Sequence, residues 1–159
     1  MGNFNIGVIG NGSWATALVK ILTDNNHEVN WWIRNSSSIE SIKKRRHNPN
    51  YLSSAYLDVS LLHLYDDVRT VAEQSDLLVL AVPSAYIQGA LEPLDGELLK
   101  NRKILSAIKG LVPGPDVLLN DHLKQQFNFP LENYFAVLGP CHAEEVGRPS
   151  PHSRLRVCW

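Results

Sequence analysis

The sequence predicts a doubly wound α/β fold: a mostly parallel sheet of about six strands, with helices on both faces. Short apolar runs alternate with segments of helix length, which is the order typical of strand–helix–strand units. The run at residues 77–82 is continuously apolar, as expected for a strand that is covered on both faces of a parallel sheet. A glycine-containing turn at residues 10–12 separates the first apolar run from the first helical pattern.

Each element follows from local periodicity and punctuation. Strands are predicted at residues 4–9, 28–33, 61–65, 77–82, 103–108 and 134–138. Helices are predicted at residues 13–23, 36–46, 66–74, 84–91 and 116–127. The segment Asn48-Pro49-Asn50 ends the second helix, because proline disfavours the helical conformation in the residue before it.

The length of 159 residues has room for one domain, or for one lobe of something larger. A domain is predicted over residues 1–146, followed by an irregular tail at 147–159 that has neither helical nor strand periodicity. Two interpretations of this tail stay open, an ordinary disordered terminus and a truncated or frame-altered end.

Composition excludes several classes of protein. Hydrophobic residues make up 44% and charged residues 19%, which argues against a disordered chain. The formal net charge of −1 argues against wholesale binding to nucleic acid. The basic run at residues 43–47 is interpreted as a solvated helix end, where cations favour the helix dipole.

Targeting and metal signals are weak. Cys141 and Cys158 have no spacing that suggests zinc or a disulfide framework, so no metal site is expected. No leader segment and no apolar run of membrane-spanning length are recognisable. We therefore expect a soluble cytoplasmic domain.

The glycine-containing turn has the pattern GxGxxA, with Gly10, Gly12 and Ala15 at the defining positions. Gly10 permits a tight turn, Gly12 lets the backbone approach a pyrophosphate, and Ala15 is small enough for close packing of helix on strand. Free amides at the helix start face the phosphates. Because this turn lies in the first strand–helix–strand unit, it predicts a Rossmann-type dinucleotide-binding domain.

The end of the second strand bears on which dinucleotide is bound. An acidic residue there would hold the ribose hydroxyls of NAD(H), but the sequence has Arg34. A guanidinium pairs well with a 2′-phosphate. NADP(H) is therefore favoured, and NAD(H) stays open.

Later motifs resemble the N-terminal half of bacterial-type NAD(P)-dependent glycerol-3-phosphate dehydrogenase, in the family's order and spacing across residues 4–146. The motifs are the GNGSWATA turn at 10–17, NPNYL at 48–52, VLAVPS at 79–84, IKG at 108–110 and GPCHAEEV at 139–146. The glycine turn alone is generic, whereas the set is specific.

The resemblance implies roles for the matching residues. Cofactor contacts are implied for Gly10, Gly12, Ser13, Trp14, Ala15, Arg34, Asn35, Tyr51, Pro83, Lys109 and Ala143. Substrate contacts are implied for Lys109, Gly139 and Cys141, and Lys109 is the expected catalytic residue. This sequence departs from the family at Ala15, commonly glycine there, and at Cys141, usually serine or threonine.

The resemblance also implies an oxidoreductase that interconverts sn-glycerol 3-phosphate and dihydroxyacetone phosphate for glycerophospholipid synthesis, and a possible homo-oligomer. The family's helical C-terminal substrate domain is absent from these residues, so we expect the chain to be inactive alone. Two alternatives stay open: a dehydrogenase of the same fold that acts on another substrate, and a dinucleotide-binding module that is not an enzyme.

Overall fold

The computed structural model describes residues 4–138 and 156–158. The strands are β1 (Ile6–Ile9), β2 (Val29–Trp32), β3 (Leu62–Tyr65), β4 (Leu77–Leu80), β5 (Lys103–Ser106), β6 (Tyr134–Leu138) and β7 (Arg156–Cys158). The helices are α1 (Ser13–Asp24), α2 (Ser36–Arg45), α3 (Val68–Glu73), α4 (Ile87–Leu91), α5 (Gly96–Leu99) and α6 (Leu119–Phe127).

These strands form one sheet in the order β3-β2-β1-β4-β5-β6-β7. β1 to β6 are parallel, and β7 joins the edge of β6 in the antiparallel direction. The strand order reverses between β1 and β4, which is the topological switch point of a Rossmann-type sheet. The predicted doubly wound, mostly parallel fold is confirmed.

Each face of the sheet has its own apolar core. Leu78 and Leu80 of β4 lie in the cluster that includes buried residues of α3, α4, α5 and α6. Val79 lies in the opposite cluster, with buried residues of α1 and α2. Side chains alternate between the two faces of a strand, so a strand with a core on each face must be apolar throughout. This explains the uninterrupted apolar run at β4.

The start of α6 differs from the prediction. The helix begins at Leu119, three residues after the predicted start at Asp116. Val117 forms an isolated antiparallel bridge with Val112, and Asp116 has a φ of 53° in the left-handed region. The segment at residues 113–116 therefore forms a turn between Val112 and Val117, and the helix starts only after it.

Two short elements were not predicted. α5 has only four residues, too few to show helical periodicity in the sequence. Asp95 caps it, since the Asp95 side chain accepts a hydrogen bond from the Leu98 amide. β7 occupies residues 156–158 within the segment predicted to be an irregular tail.

Among the described residues, no helix has the length and apolar content that a bilayer crossing requires.

Candidate functional site

A cleft of about 1020 Å³ opens beyond the carboxyl ends of β1, β2 and β4. It is lined by Asn11, Gly12, Ser13, Trp32, Arg34, Asn35, Ser36, Ser38, Asn50, Tyr51, Ala81, Val82, Pro83, Ala85, Tyr86, Gly89 and Ala90. The cleft lies at the switch point between β1 and β4, where open α/β sheets bind their ligands.

Gly10 makes the tight turn that leaves β1. Its φ is +125°, and a Cβ built there would come within 2.5 Å of the Ala81 carbonyl oxygen after β4. The fully buried indole of Trp31 donates a hydrogen bond of 2.6 Å to the Gly10 carbonyl oxygen. The turn is thus tied to β2 and β4, and the predicted steric role of Gly10 agrees with this geometry.

Gly12 is in a different environment. A Cβ built on it would meet no atom within 4 Å, and the residue lines the cleft. It is also the N-cap of α1, with an extended backbone and no side-chain cap. The first amides of α1 and the positive end of its dipole therefore lie at the cleft, an arrangement that favours phosphate oxygens.

A buried asparagine supports this turn. The side-chain nitrogen Nδ2 of Asn48 donates to the Asn11 carbonyl oxygen at 2.9 Å and to the Thr16 hydroxyl at 2.8 Å. The Asn48 side-chain oxygen accepts a hydrogen bond from the Asn50 amide at 3.1 Å. The segment after α2, including the Asn50 and Tyr51 wall of the cleft, is thereby joined to the glycine turn.

The wall formed after β2 carries positive charge. Arg34 is exposed and lines the cleft, and among the lining residues in the described part of the chain it alone has a charged side chain. Asn35 also lines the cleft, but its Oδ1 accepts from the Ser37 amide at 3.0 Å and caps α2. Tyr51, which is 44% exposed, faces the same space. An anionic group fits this wall, because the Arg34 guanidinium is the one charged group among the described residues that line it.

Four of the described residues that were predicted to contact the cofactor are outside the cleft lining: Gly10, Trp14, Ala15 and Lys109. Trp14 is half-buried and packs against the apolar core beside α1 and α2. Ala15 is fully buried, so its small side chain serves the packing of α1 and does not reach the cleft. The cofactor contact of Trp14 stays a prediction.

Pro83 and Lys109 lie on neighbouring turns. Pro83 follows β4 and lines the cleft. Lys109 is exposed and follows β5, but it is not among the lining residues. The next residue, Gly110, has a φ of +87°, and a Cβ built on it would lie 3.9 Å from the Ser84 hydroxyl oxygen. The turn with Lys109 is therefore close to the turn that borders the cleft.

Three predicted residues, Gly139, Cys141 and Ala143, lie outside the described residues. Within residues 4–138 and 156–158, no cluster of three His, Cys, Asp or Glu side chains could hold a metal ion.

Sequence reasoning missed most of the apolar wall, which includes Trp32, Val82, Tyr86 and Ala90. These residues carry no chemical signal, since only the fold brings them to the cleft. It also missed the contact of Asn48 with Asn11, whose partners are 37 positions apart.

Comparison with known proteins identifies the family of this chain. The family described as NAD-dependent glycerol-3-phosphate dehydrogenase N-terminus matches residues 5–154, eight residues beyond the predicted boundary at 146. Glycerol-3-phosphate dehydrogenase [NAD(P)+] from Geobacillus kaustophilus is 34% identical over 142 residues, which are 89% of this chain and 41% of the relative. The chain thus spans about two-fifths of the length of the curated relatives that it matches.

Solved structures agree in fold. Glycerol-3-phosphate dehydrogenase from Coxiella burnetii superposes with a TM-score of 0.79 at 24% identity, over 91% of this chain and 43% of that one. The Plasmodium falciparum glycerol-3-phosphate dehydrogenase gives 0.76 at 26% identity, over 92% and 43%. With the family match over nearly the whole chain, the resemblance of the motifs is confirmed: this chain belongs to the family of the NAD-dependent glycerol-3-phosphate dehydrogenase N-terminus.

Proposed function

We propose that this chain binds NADP(H) or NAD(H) in the cleft, with the pyrophosphate at the start of α1. The observation that carries the proposal is the open approach at Gly12, where no side chain blocks the uncapped first turn of the helix. Relatives named as NAD(P)+ enzymes support the same cofactor. The cleft volume of about 1020 Å³ is at the upper end of the range for ligand pockets, as an extended dinucleotide requires.

Arg34 directs the adenosine half of the cofactor to the wall after β2. Its guanidinium would form charge-assisted hydrogen bonds to the 2′-phosphate of NADP(H). Tyr51 borders the same space with an exposed ring. NADP(H) is therefore the favoured cofactor. NAD(H), which lacks only the 2′-phosphate, would bind through the groups that the two cofactors share.

The reaction proposed for a full-length member of this family is the interconversion of sn-glycerol 3-phosphate and dihydroxyacetone phosphate. When bound, reduced nicotinamide would supply a hydride to the carbonyl carbon, and the oxygen would take a proton from water or from a cationic side chain beside it. Negative charge develops on that oxygen, and a positioned cation stabilises it. Lys109 is the candidate cation, because it follows a central strand on the turn beside Pro83 and Ser84.

A titration tests the cofactor proposal. NADPH is added to the purified chain in a calorimeter, in parallel with reduced nicotinamide mononucleotide, which lacks the adenosine half. We expect saturable binding of one NADPH per chain and much weaker binding of the mononucleotide. Absence of NADPH binding, or equal affinity for the two ligands, would contradict the proposal.

A further inference from the structure

Asn48 is a buried polar side chain for which the proposed chemistry has no direct use. Its exposed fraction is 1%, and it lies in the segment after α2, 36 positions from the second glycine of the turn. Both polar atoms of its side chain make hydrogen bonds: the nitrogen donates to Asn11 and Thr16, and the oxygen accepts from the Asn50 amide. Burial of an amide is costly unless its hydrogen bonds are made, so this side chain has one well-defined orientation.

The network holds two successive carbonyl groups of the glycine turn. Asn48 donates directly to the Asn11 carbonyl oxygen at 2.9 Å. It also donates to the hydroxyl of Thr16, a fully buried residue, and that hydroxyl donates in turn to the Gly12 carbonyl oxygen at 2.9 Å. The Thr16 amide reaches the same Gly12 oxygen at 2.9 Å.

The orientation of the carbonyls determines that of two amides. A trans peptide unit is planar, and its C=O and N–H groups point in opposite directions. The Asn11 carbonyl shares a peptide with the Gly12 amide, and the Gly12 carbonyl shares one with the Ser13 amide. Because Asn48 and Thr16 hold both carbonyl oxygens, the Gly12 and Ser13 amides point away from these two side chains. Gly12 and Ser13 line the cleft, so the cleft is the side that the amides can face.

We infer that Asn48, acting with Thr16, is a positioning residue for phosphate recognition: it orients the Gly12 and Ser13 amides toward the pyrophosphate. The same side chain holds the Asn50 amide, so the turn and the Tyr51 wall keep a fixed separation. This inference rests on the proposed cofactor site.

A buried asparagine could instead contribute to stability alone, and Asn30 provides a matched control. It is 8% exposed, and its side-chain nitrogen donates to the Gln74 carbonyl oxygen at 3.1 Å and to the Ser75 hydroxyl at 3.2 Å. Gln74 and Ser75 precede β4, so this second network lies at the amino edge of the sheet, away from the cleft.

The experiment compares Asn48→Ala with Asn30→Ala. Thermal unfolding reports stability, and calorimetry reports the dissociation constant for NADPH. Both variants should lower the unfolding midpoint. Asn48→Ala should also weaken NADPH by about tenfold or more, as expected for loss of one well-aligned hydrogen bond to a charged group. Asn30→Ala should keep the wild-type affinity.

Thr16 supplies a second pair of variants in case Asn48→Ala fails to fold. Thr16→Val removes the hydroxyl with little change of volume, whereas Thr16→Ser keeps it. We expect weakened NADPH binding in Thr16→Val and near wild-type binding in Thr16→Ser. Wild-type affinity in Asn48→Ala or Thr16→Val would overturn the inference, and so would an equal loss in Asn30→Ala. Failure of the wild-type chain to bind NADPH would instead refute the proposed function itself.

Discussion

Gly10 and Gly12 stand two positions apart in one turn, yet a side chain would have opposite consequences at each. At Gly10 a methyl group would lie 2.5 Å from the Ala81 carbonyl oxygen, in a backbone with φ +125°. Left-handed strain alone costs about 1–3 kcal/mol for a residue other than glycine, and the close contact adds to it. We expect Gly10→Ala to lower the free energy of unfolding by about 2 kcal/mol or more, measured by urea denaturation.

Gly12→Ala is the matched control, because its methyl group would enter open space. Its free energy of unfolding should fall by no more than about 1 kcal/mol, the usual effect of a poorer N-cap residue at the start of α1. Equal destabilisation by the two substitutions would contradict the account of the turn.

Arg34 should decide between the two dinucleotides. Hydrogen bonds to charged groups contribute about 1.5–3 kcal/mol each. Arg34→Ala should therefore weaken NADPH about tenfold or more and change NADH far less. Calorimetric titration of both cofactors measures the ratio.

Lys44→Ala provides the control for charge, since Lys44 is an exposed cation of α2 outside the cleft lining. It should leave both affinities near the wild-type values. Equal losses of NADPH and NADH in Arg34→Ala would reject a 2′-phosphate contact.

Much of the site could be predicted at the level of single residues. Gly12 and Arg34 follow from a short motif and its spacing, and both line the cleft. Asn48 could not be assigned its role, because its partners Asn11 and Thr16 are distant in sequence and a buried amide has no periodic signal. Trp14 lies near the turn in sequence, but the direction of its side chain depends on how α1 packs.

At the level of elements, α6 should make stability depend on pH. His122 is 6% exposed, and burial lowers its pKa from the ordinary value of 6.5. Below that value the unfolded chain takes up a proton that the folded chain resists, so the free energy of unfolding falls as the pH falls through and below 6.5. Urea denaturation at about pH 7.5 and about pH 5.5 measures this change.

His122→Gln should reduce the loss of stability between these two pH values. The pKa values of the Asp67 and Asp95 carboxyls are lowered from 3.8 by hydrogen bonds to Thr70 and to the Leu98 amide, respectively. The contribution of these two carboxylates to the free energy of unfolding is lost only when the pH falls to about 3.8 and below. An unchanged pH dependence in His122→Gln would show that His122 titrates alike in the folded and unfolded chain.

Elements with strong periodicity or continuous apolar character were predicted well, and short ones were not. β4 and α1 extend over enough buried positions to show their pattern. The start of α6 was predicted too early, since the left-handed Asp116 and the bridge from Val112 to Val117 close a loop first. β7 depends on pairing with β6, a contact between distant residues that three positions cannot reveal.

At the level of the whole molecule, we expect the 159-residue chain to bind cofactor without catalysing the reaction. Hydride transfer requires the ketone to be held about 3–3.5 Å from the nicotinamide and shielded from water. In the described residues, the exposed Lys109 is the candidate on the substrate side, and it stands outside the cleft lining. The chain spans about two-fifths of its curated relatives.

The assay mixes the chain with NADPH and dihydroxyacetone phosphate and follows cofactor oxidation by absorbance. We predict no oxidation above the rate without protein. Saturable turnover by the verified 159-residue chain would require a different account of the catalytic groups.

Calorimetric titration of NADPH into the wild-type chain and into Gly12→Val tests whether the open approach at Gly12 receives the cofactor pyrophosphate. The branched side chain would meet no protein atom near its Cβ but would occupy the approach to the first amides of α1. We expect a folded chain with a small fall in the unfolding midpoint, because valine is a poor N-cap residue. We also expect a loss of NADPH affinity of about tenfold or more, the contribution of one hydrogen bond to a charged group. Wild-type affinity in a folded Gly12→Val chain would contradict this placement of the pyrophosphate.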